Sequence, residues 1–198
     1  MRPGPLVFVD VDTQRDFLDP EGALFIEGSA AIRPNLARLT QFARDRNIPI
    51  LATACSHGPD DEEFATFPPH CLVGTRGQER VDETAWPDSR VLTSGGPVPS
   101  APVPHLTIAK QQYDVFSHPD LPAVLAVYGR DDPTFVVYGV ATDYCVACAV
   151  DGLLRHGHQV ALVVDAIRAV EPDAEAEHLT GFADRGVLLT LTDVVCGD

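Results

Sequence analysis

Short runs of apolar, largely β-branched residues alternate along the chain with stretches whose apolar positions recur every three or four residues. Residues 6–12 (LVFVDVD), 48–54, 90–93, 105–109, 134–140 (TFVVYGV), 158–164 and 187–192 read as strands. Residues 30–46 carry Ile32, Leu36, Leu39, Phe42 and Ala43 at helical spacing, and 119–128, 142–156 and 174–184 also read as helices. Gly157 stands where a helix C-cap wants a glycine. Strands apolar on both faces and joined by helices imply a mostly parallel sheet covered on both sides. Right-handed crossovers then give a three-layer α/β/α arrangement. Residues 94–104 (SGGPVPSAPVP) are read as a loop rather than a linker, because neither flank is long enough for a separate domain. The expectation is one domain over residues 1–198. Residues 56–89 form a long stretch with little periodicity, of the kind that is usually functional in a compact domain.

Charge narrows the classes of partner. With 14 basic residues against 29 acidic ones the formal charge is -15, a field that repels phosphate backbones and anionic lipid. Neither nucleic acid nor a membrane surface is therefore expected as a partner, and no apolar run approaches the ~18–20 residues of a membrane span. The N-terminus lacks the pattern of a secretory signal. Five thinly spread cysteines (Cys55, Cys71, Cys145, Cys148 and Cys196) are an odd number, so a reducing, cytoplasmic setting is expected rather than a disulfide framework. Lys110 is the sole lysine among 13 arginines. Arginine supplies charge almost anywhere, whereas a compact donor with an adjustable pKa has to be lysine.

In open parallel sheets ligands bind beyond the carboxyl ends of the strands, so polar residues just after each apolar run are the candidates. Asp10 and Asp12, two apart, are expected on one face of the first strand. Lys110 follows the 105–109 run directly, and Cys145 falls in the first turn of the helix after the 134–140 run. A helix N-terminus favours a thiolate, and its amides can hold a developing oxyanion. A nucleophile, an acid and a cation at one sheet edge suit acyl transfer.

Four blocks carry a resemblance to a known family. They are Val11-Asp12-Thr13-Gln14-Arg15-Asp16-Phe17, Phe67-Pro-Pro-His70-Cys71 with Gly74-Thr75, Lys110, and Gly139-Val140-Ala141-Thr142-Asp143-Tyr144-Cys145-Val146. In this order they resemble the isochorismatase-like cysteine hydrolases, in particular the nicotinamidase/pyrazinamidase branch. The resemblance implies a doubly wound, six-stranded sheet and a catalytic triad of Asp12, Lys110 and Cys145. It also implies a cis peptide between Val140 and Ala141, an oxyanion hole from the Ala141 and Cys145 amides, and a flat substrate ring between Phe17 and Phe67. The implied substrate is a small, aromatic carboxamide, and the implied assembly a homo-oligomer.

That branch binds one divalent metal, which anchors a pyridine nitrogen, through an Asp-x-His pair and a later histidine. His57 and His70 match the histidines, Cys55 holds the aspartate position, and Glu63 falls where a fourth ligand could come from. A sulfur donor with two imidazoles favours zinc over harder ions. Three alternatives stay open: a metal-free relative acting on a carbamoyl, other amide or vinyl-ether substrate; a thiol redox protein using the Cys145-x-x-Cys148 pair; and a catalytically silent binding member of the fold.

Overall fold

In the computed structural model, which describes residues 4–197, the apolar runs become seven strands. They are β1 (Leu6–Val11), β2 (Ile50–Cys55), β3 (Arg90–Leu92), β4 (His105–Lys110), β5 (Thr134–Val140), β6 (Gln159–Arg168) and β7 (Leu188–Thr190). One sheet holds them in the order β3-β4-β2-β1-β5-β6-β7, and every neighbouring pair is parallel. From β1 the chain lays β2, β4 and β3 on one side and β5, β6 and β7 on the other, which puts the switch in strand order between β1 and β5. The six strands implied by the resemblance are thus corrected to seven. The sheet ends on two three-residue edge strands, β3 and β7, each paired on one side only.

The continuous apolar pattern of β1 and β5 follows from their burial on both faces. Val7, Val9, Val11, Phe135 and Val137 pack with Leu121, Val124 and Leu125 of α3 (Leu121–Tyr128), Val150 and Leu153 of α4 (Ala147–Arg155) and Phe182 of α5 (Pro172–Asp184). Phe8, Val136, Tyr138 and Val140 point the other way, toward Leu36, Leu39 and Ala43 of α2 (Arg33–Arg46). A further helical turn, α1 (Arg15–Leu18), follows β1, and α6 (Thr192–Cys196) follows β7. None of the described helices is long and apolar enough to cross a membrane.

Local chemistry sets several boundaries differently from the periodicity. The helix expected over 30–46 starts at Arg33, behind a separate 3₁₀ turn at Ser29–Ile32. Pro34 has no N–H to give and belongs in the first turn of an α-helix. Asn47 ends α2 in the left-handed conformation, φ 54. Gly157, φ 78, follows α4 and donates to the Leu154 carbonyl, while His158 donates to that of Leu153. The last apolar run splits into β7 and α6 because Thr192 donates both its amide and its hydroxyl to Asp165, each at 2.9 Å, and so starts a helix. Gly139 sits at φ 115 opposite Val11, and a Cβ there would run into the Val11 carbonyl oxygen. Only glycine lets β5 turn there while still paired with β1.

His105 shows what the sheet costs at its other end. Its ring stacks on Trp86, its Nδ1 shares a 2.8 Å hydrogen bond with the Ser89 hydroxyl, and its Nε2 is buried without a partner. Burial, with Arg80 and Arg44 nearby, pushes its pKa down to about 3. An unfolded histidine titrates near 6.5, so between those values the unfolded chain binds the extra proton and stability falls as pH falls. Urea titrations at pH 6.5 and 5 are expected to show the parent protein losing about 2 kcal/mol more than His105→Gln. Equal losses would remove His105 from the acid response.

Candidate active site

Four strand ends meet at the switch in strand order. β1 delivers Asp12 one residue beyond its last paired position, at φ 46, a conformation open to Asp but uncommon for residues with a side chain. Asp12 lies outside β1, so strand alternation does not set the direction of its side chain. The Thr53 hydroxyl donates to Asp12 Oδ1 at 2.6 Å and accepts the Asp12 amide at 3.2 Å, so β2 fixes both the carboxylate and its backbone. Lys110 ends β4 in register with Cys55 of β2. Its buried ammonium has three hydrogens and three partners: Asp12 Oδ2 at 2.8 Å, Cys55 Sγ at 3.2 Å and Cys145 Sγ at 3.7 Å. Burial works to lower the Lys110 pKa, but the Asp12 carboxylate and the two sulfurs outweigh it and hold the ammonium charged.

Cys145 lies in a π-turn, Thr142–Val146, between β5 and α4, and the Val140–Ala141 peptide just before it is cis. The surroundings oppose the thiolate expected at a helix N-terminus. A hydrogen bond with Cys55 and then burial raise the Cys145 pKa well above the ordinary thiol value, against the opposing pull of Lys110. Both effects work against the thiolate that a turn's N-terminus and Lys110 favour.

Behind this group a polar layer holds the strand ends together. Gln14 donates its amide to the carbonyls of Cys55 and Gln78, both at 2.9 Å, and accepts the Cys55 N–H at 2.7 Å. Asp10 is fully buried, pairs with Arg80 and accepts from Thr13 at 2.9 Å. Burial raises its pKa in spite of that partner. Arg80 also donates to the Thr53 carbonyl at 3.1 Å. Thr53 and Arg80 went unnoticed in the sequence because no spacing ties them to Asp12.

The long 56–89 segment supplies the metal-donor groups. Donor atoms of Cys55, His57 and His70, all buried, lie within 4.8 Å of one another, as do those of His57, Asp61 and Glu63. Glu63 thus joins His57 rather than the set that includes Cys55. The His70 Nδ1 is 2.8 Å from the Pro68 carbonyl, and burial lowers this ring's pKa, which keeps it neutral. The His57 Nδ1 is 3.0 Å from the Asp61 carboxylate, and its Nε2 is buried without a hydrogen-bond partner, like Glu63 Oε2. Metal-binding imidazoles carry this arrangement, with one nitrogen oriented by an outer oxygen and the other left for the ion. The residues therefore fit a divalent ion, and the sulfur suits zinc. Asp61, four residues after His57, was passed over within the acidic run 60–63.

A small apolar cavity opens over the group. Its lining includes Phe17, Phe67, Tyr113, Tyr144, Val140, Ala141, Cys55, Cys145, Glu63 and His70. The rings of Phe17 and Phe67 both lie beside His70, with centroids 5.4 and 6.4 Å from it, and Phe67 meets Tyr144 edge-on at 5.5 Å. Cys148, on α4, is half-buried and is not among the lining residues.

The family model of the isochorismatase domain matches residues 6–194. A nicotinamidase of Escherichia coli is 26% identical over 211 aligned residues, with 96% of each chain covered. A protein of Arabidopsis thaliana named a probable inactive nicotinamidase is 22% identical, over 89% of this chain and 87% of that one. The crystal structure of a pyrazinamidase of Pyrococcus horikoshii in complex with zinc superposes with a TM-score of 0.78 at 26% identity, covering 94% of this chain and 98% of that one. With the domain match spanning all seven strands, the chain belongs to the isochorismatase family, alongside the nicotinamidases and pyrazinamidases.

Proposed function

We propose that this protein is a cysteine amidohydrolase that converts a small, flat carboxamide to its acid and ammonia through a thioester on Cys145. The observation that carries the reading is the Lys110 ammonium, which touches the Asp12 carboxylate and the Cys145 sulfur at once, beneath an aromatic cavity. The Cys145 thiol attacks the amide carbonyl while Asp12 takes its proton, and Lys110 stays charged to balance the carboxylate and the sulfur. The amides of Ala141 and Cys145 receive the oxyanion. Asp12 returns the proton to the departing nitrogen, ammonia leaves, and the thioester remains. Asp12 then removes a proton from water, whose oxygen displaces the Cys145 sulfur. Phe17 and Phe67 hold the ring so that its carboxamide faces Cys145.

Cys55, His57 and His70 would hold a zinc ion, with Asp61 and Glu63 beside them. When bound, the ion supplies a Lewis-acid anchor for a ring nitrogen of the substrate. The relative named as probably inactive makes turnover itself the first measurement.

Cys145→Ala is expected to lower ammonia release from nicotinamide or pyrazinamide by at least about 10⁴-fold. Activity surviving in that variant would discard the thioester route. Thr53→Val removes the 2.6 Å hydrogen bond to Asp12 at nearly constant volume. A hydrogen bond to a charged group contributes about 1.5–3 kcal/mol, so kcat is expected to fall ~10–100-fold with an unchanged fold by circular dichroism. An unchanged kcat would mean that Thr53 does not orient the base. Metal analysis of the purified protein is expected to find zinc at about one ion per chain, and none in His57→Ala. A metal-free parent protein active on N-carbamoyl compounds or isochorismate, but not on pyridine carboxamides, would favour a metal-independent hydrolase instead.

A further inference from the structure

The sequence offers Cys145 a near neighbour in Cys148, but the fold gives it a different sulfur to face. Cys55 comes from β2 and Cys145 from the turn after β5, and the strand ends bring both sulfurs against the same buried group, Lys110. One ammonium lies 3.2 Å from the first sulfur and 3.7 Å from the second. Both cysteines are free and both line the apolar cavity, whereas Cys71, Cys148 and Cys196 do not. Cys145 is 9% exposed and Cys55 1%, so a small oxidant entering the cavity meets Cys145 first.

We propose that Cys55 and Cys145 are a site of reversible disulfide formation driven by a peroxide, with Cys55 as the resolving thiol. The Cys145 sulfur attacks one peroxide oxygen. The S–O bond forms as the O–O bond breaks, and with hydrogen peroxide the thiol proton leaves with the departing hydroxide as water. The Cys55 sulfur then attacks the sulfenic sulfur of Cys145. The S–S bond forms as the S–O bond breaks, and the Cys55 proton leaves with the hydroxyl as a second water. Two thiols and one hydrogen peroxide thus become one disulfide and two waters, and a dithiol reverses the change by exchange. The bond ties up the sulfur that the proposed hydrolysis needs and one metal-donor atom, and it keeps Cys145 from the irreversible sulfinic and sulfonic acids.

The test follows sulfur rather than turnover, so it stands whether or not any amide is hydrolysed. The reduced protein is treated with hydrogen peroxide, its remaining thiols are alkylated, and the intact chain and its peptides are weighed. The expected product is lighter by two hydrogen atoms before alkylation, takes up alkyl groups on Cys71, Cys148 and Cys196 only, and yields a peptide linking Cys55 to Cys145. Dithiothreitol is expected to restore all five thiols. Cys148→Ser is expected to form the same bond. Cys55→Ser is expected to carry Cys145 on to sulfinic acid that dithiothreitol does not recover. A Cys145–Cys148 linkage in the parent protein would overturn the proposal, as would oxygen addition at Cys145 without any link to Cys55.

Discussion

A buried ammonium with three acceptors is the constraint on which the site depends. Removing a lysine head from water costs several kcal/mol, and only well-placed opposite charge and polar partners offset it. Asp12 and the two sulfurs do this for Lys110, and they come from three other parts of the chain: the end of β1, the end of β2 and the turn after β5. The register between Cys55 and Lys110 and that between Val11 and Gly139 are therefore conditions for a stable charge as much as for a continuous sheet.

The layer behind the site repeats this logic with arginine. Asp10 sits within an apolar strand because Arg80 reaches it from the long loop, and the same guanidinium ties to Thr53 and Thr13. Thr53 in turn holds Asp12. Gln14 binds the backbone of Cys55 and Gln78, and Asp16 accepts the Cys71 amide at 2.6 Å. The corner after β1 thus anchors a loop with little regular structure, which lets that loop present His57 and His70 at fixed places. A loop carrying metal donors needs such ties, since backbone groups left without partners in a buried position are costly.

Cys55 joins these parts. Its sulfur lies 3.2 Å from the Lys110 ammonium and 3.9 Å from the Asp12 carboxylate on one side, and it groups with His57 and His70 on the other. An aspartate there would bring a second carboxylate toward Asp12. A thiol brings a weaker, polarisable donor that can serve a soft metal ion or another sulfur.

The layered fold was legible in the sequence because burial on both faces leaves continuous apolar runs, and helices between them leave a different period. Asp12, Lys110, Cys145, His57 and His70 stood out because polar residues at the ends of such runs, or inside recognisable blocks, have few structural reasons to be there. The end of β7 and the α2 and α6 boundaries were less legible, because single hydrogen bonds or a proline decide where a helix begins. The roles of Thr53, Arg80 and Asp61, the upward pressure on the Cys145 pKa and the contact of both Cys55 and Cys145 with Lys110 were decided by tertiary structure alone. Each depends on distances between strand ends that are far apart in the chain, and a pKa or a sulfur contact is set by such distances rather than by neighbours in sequence.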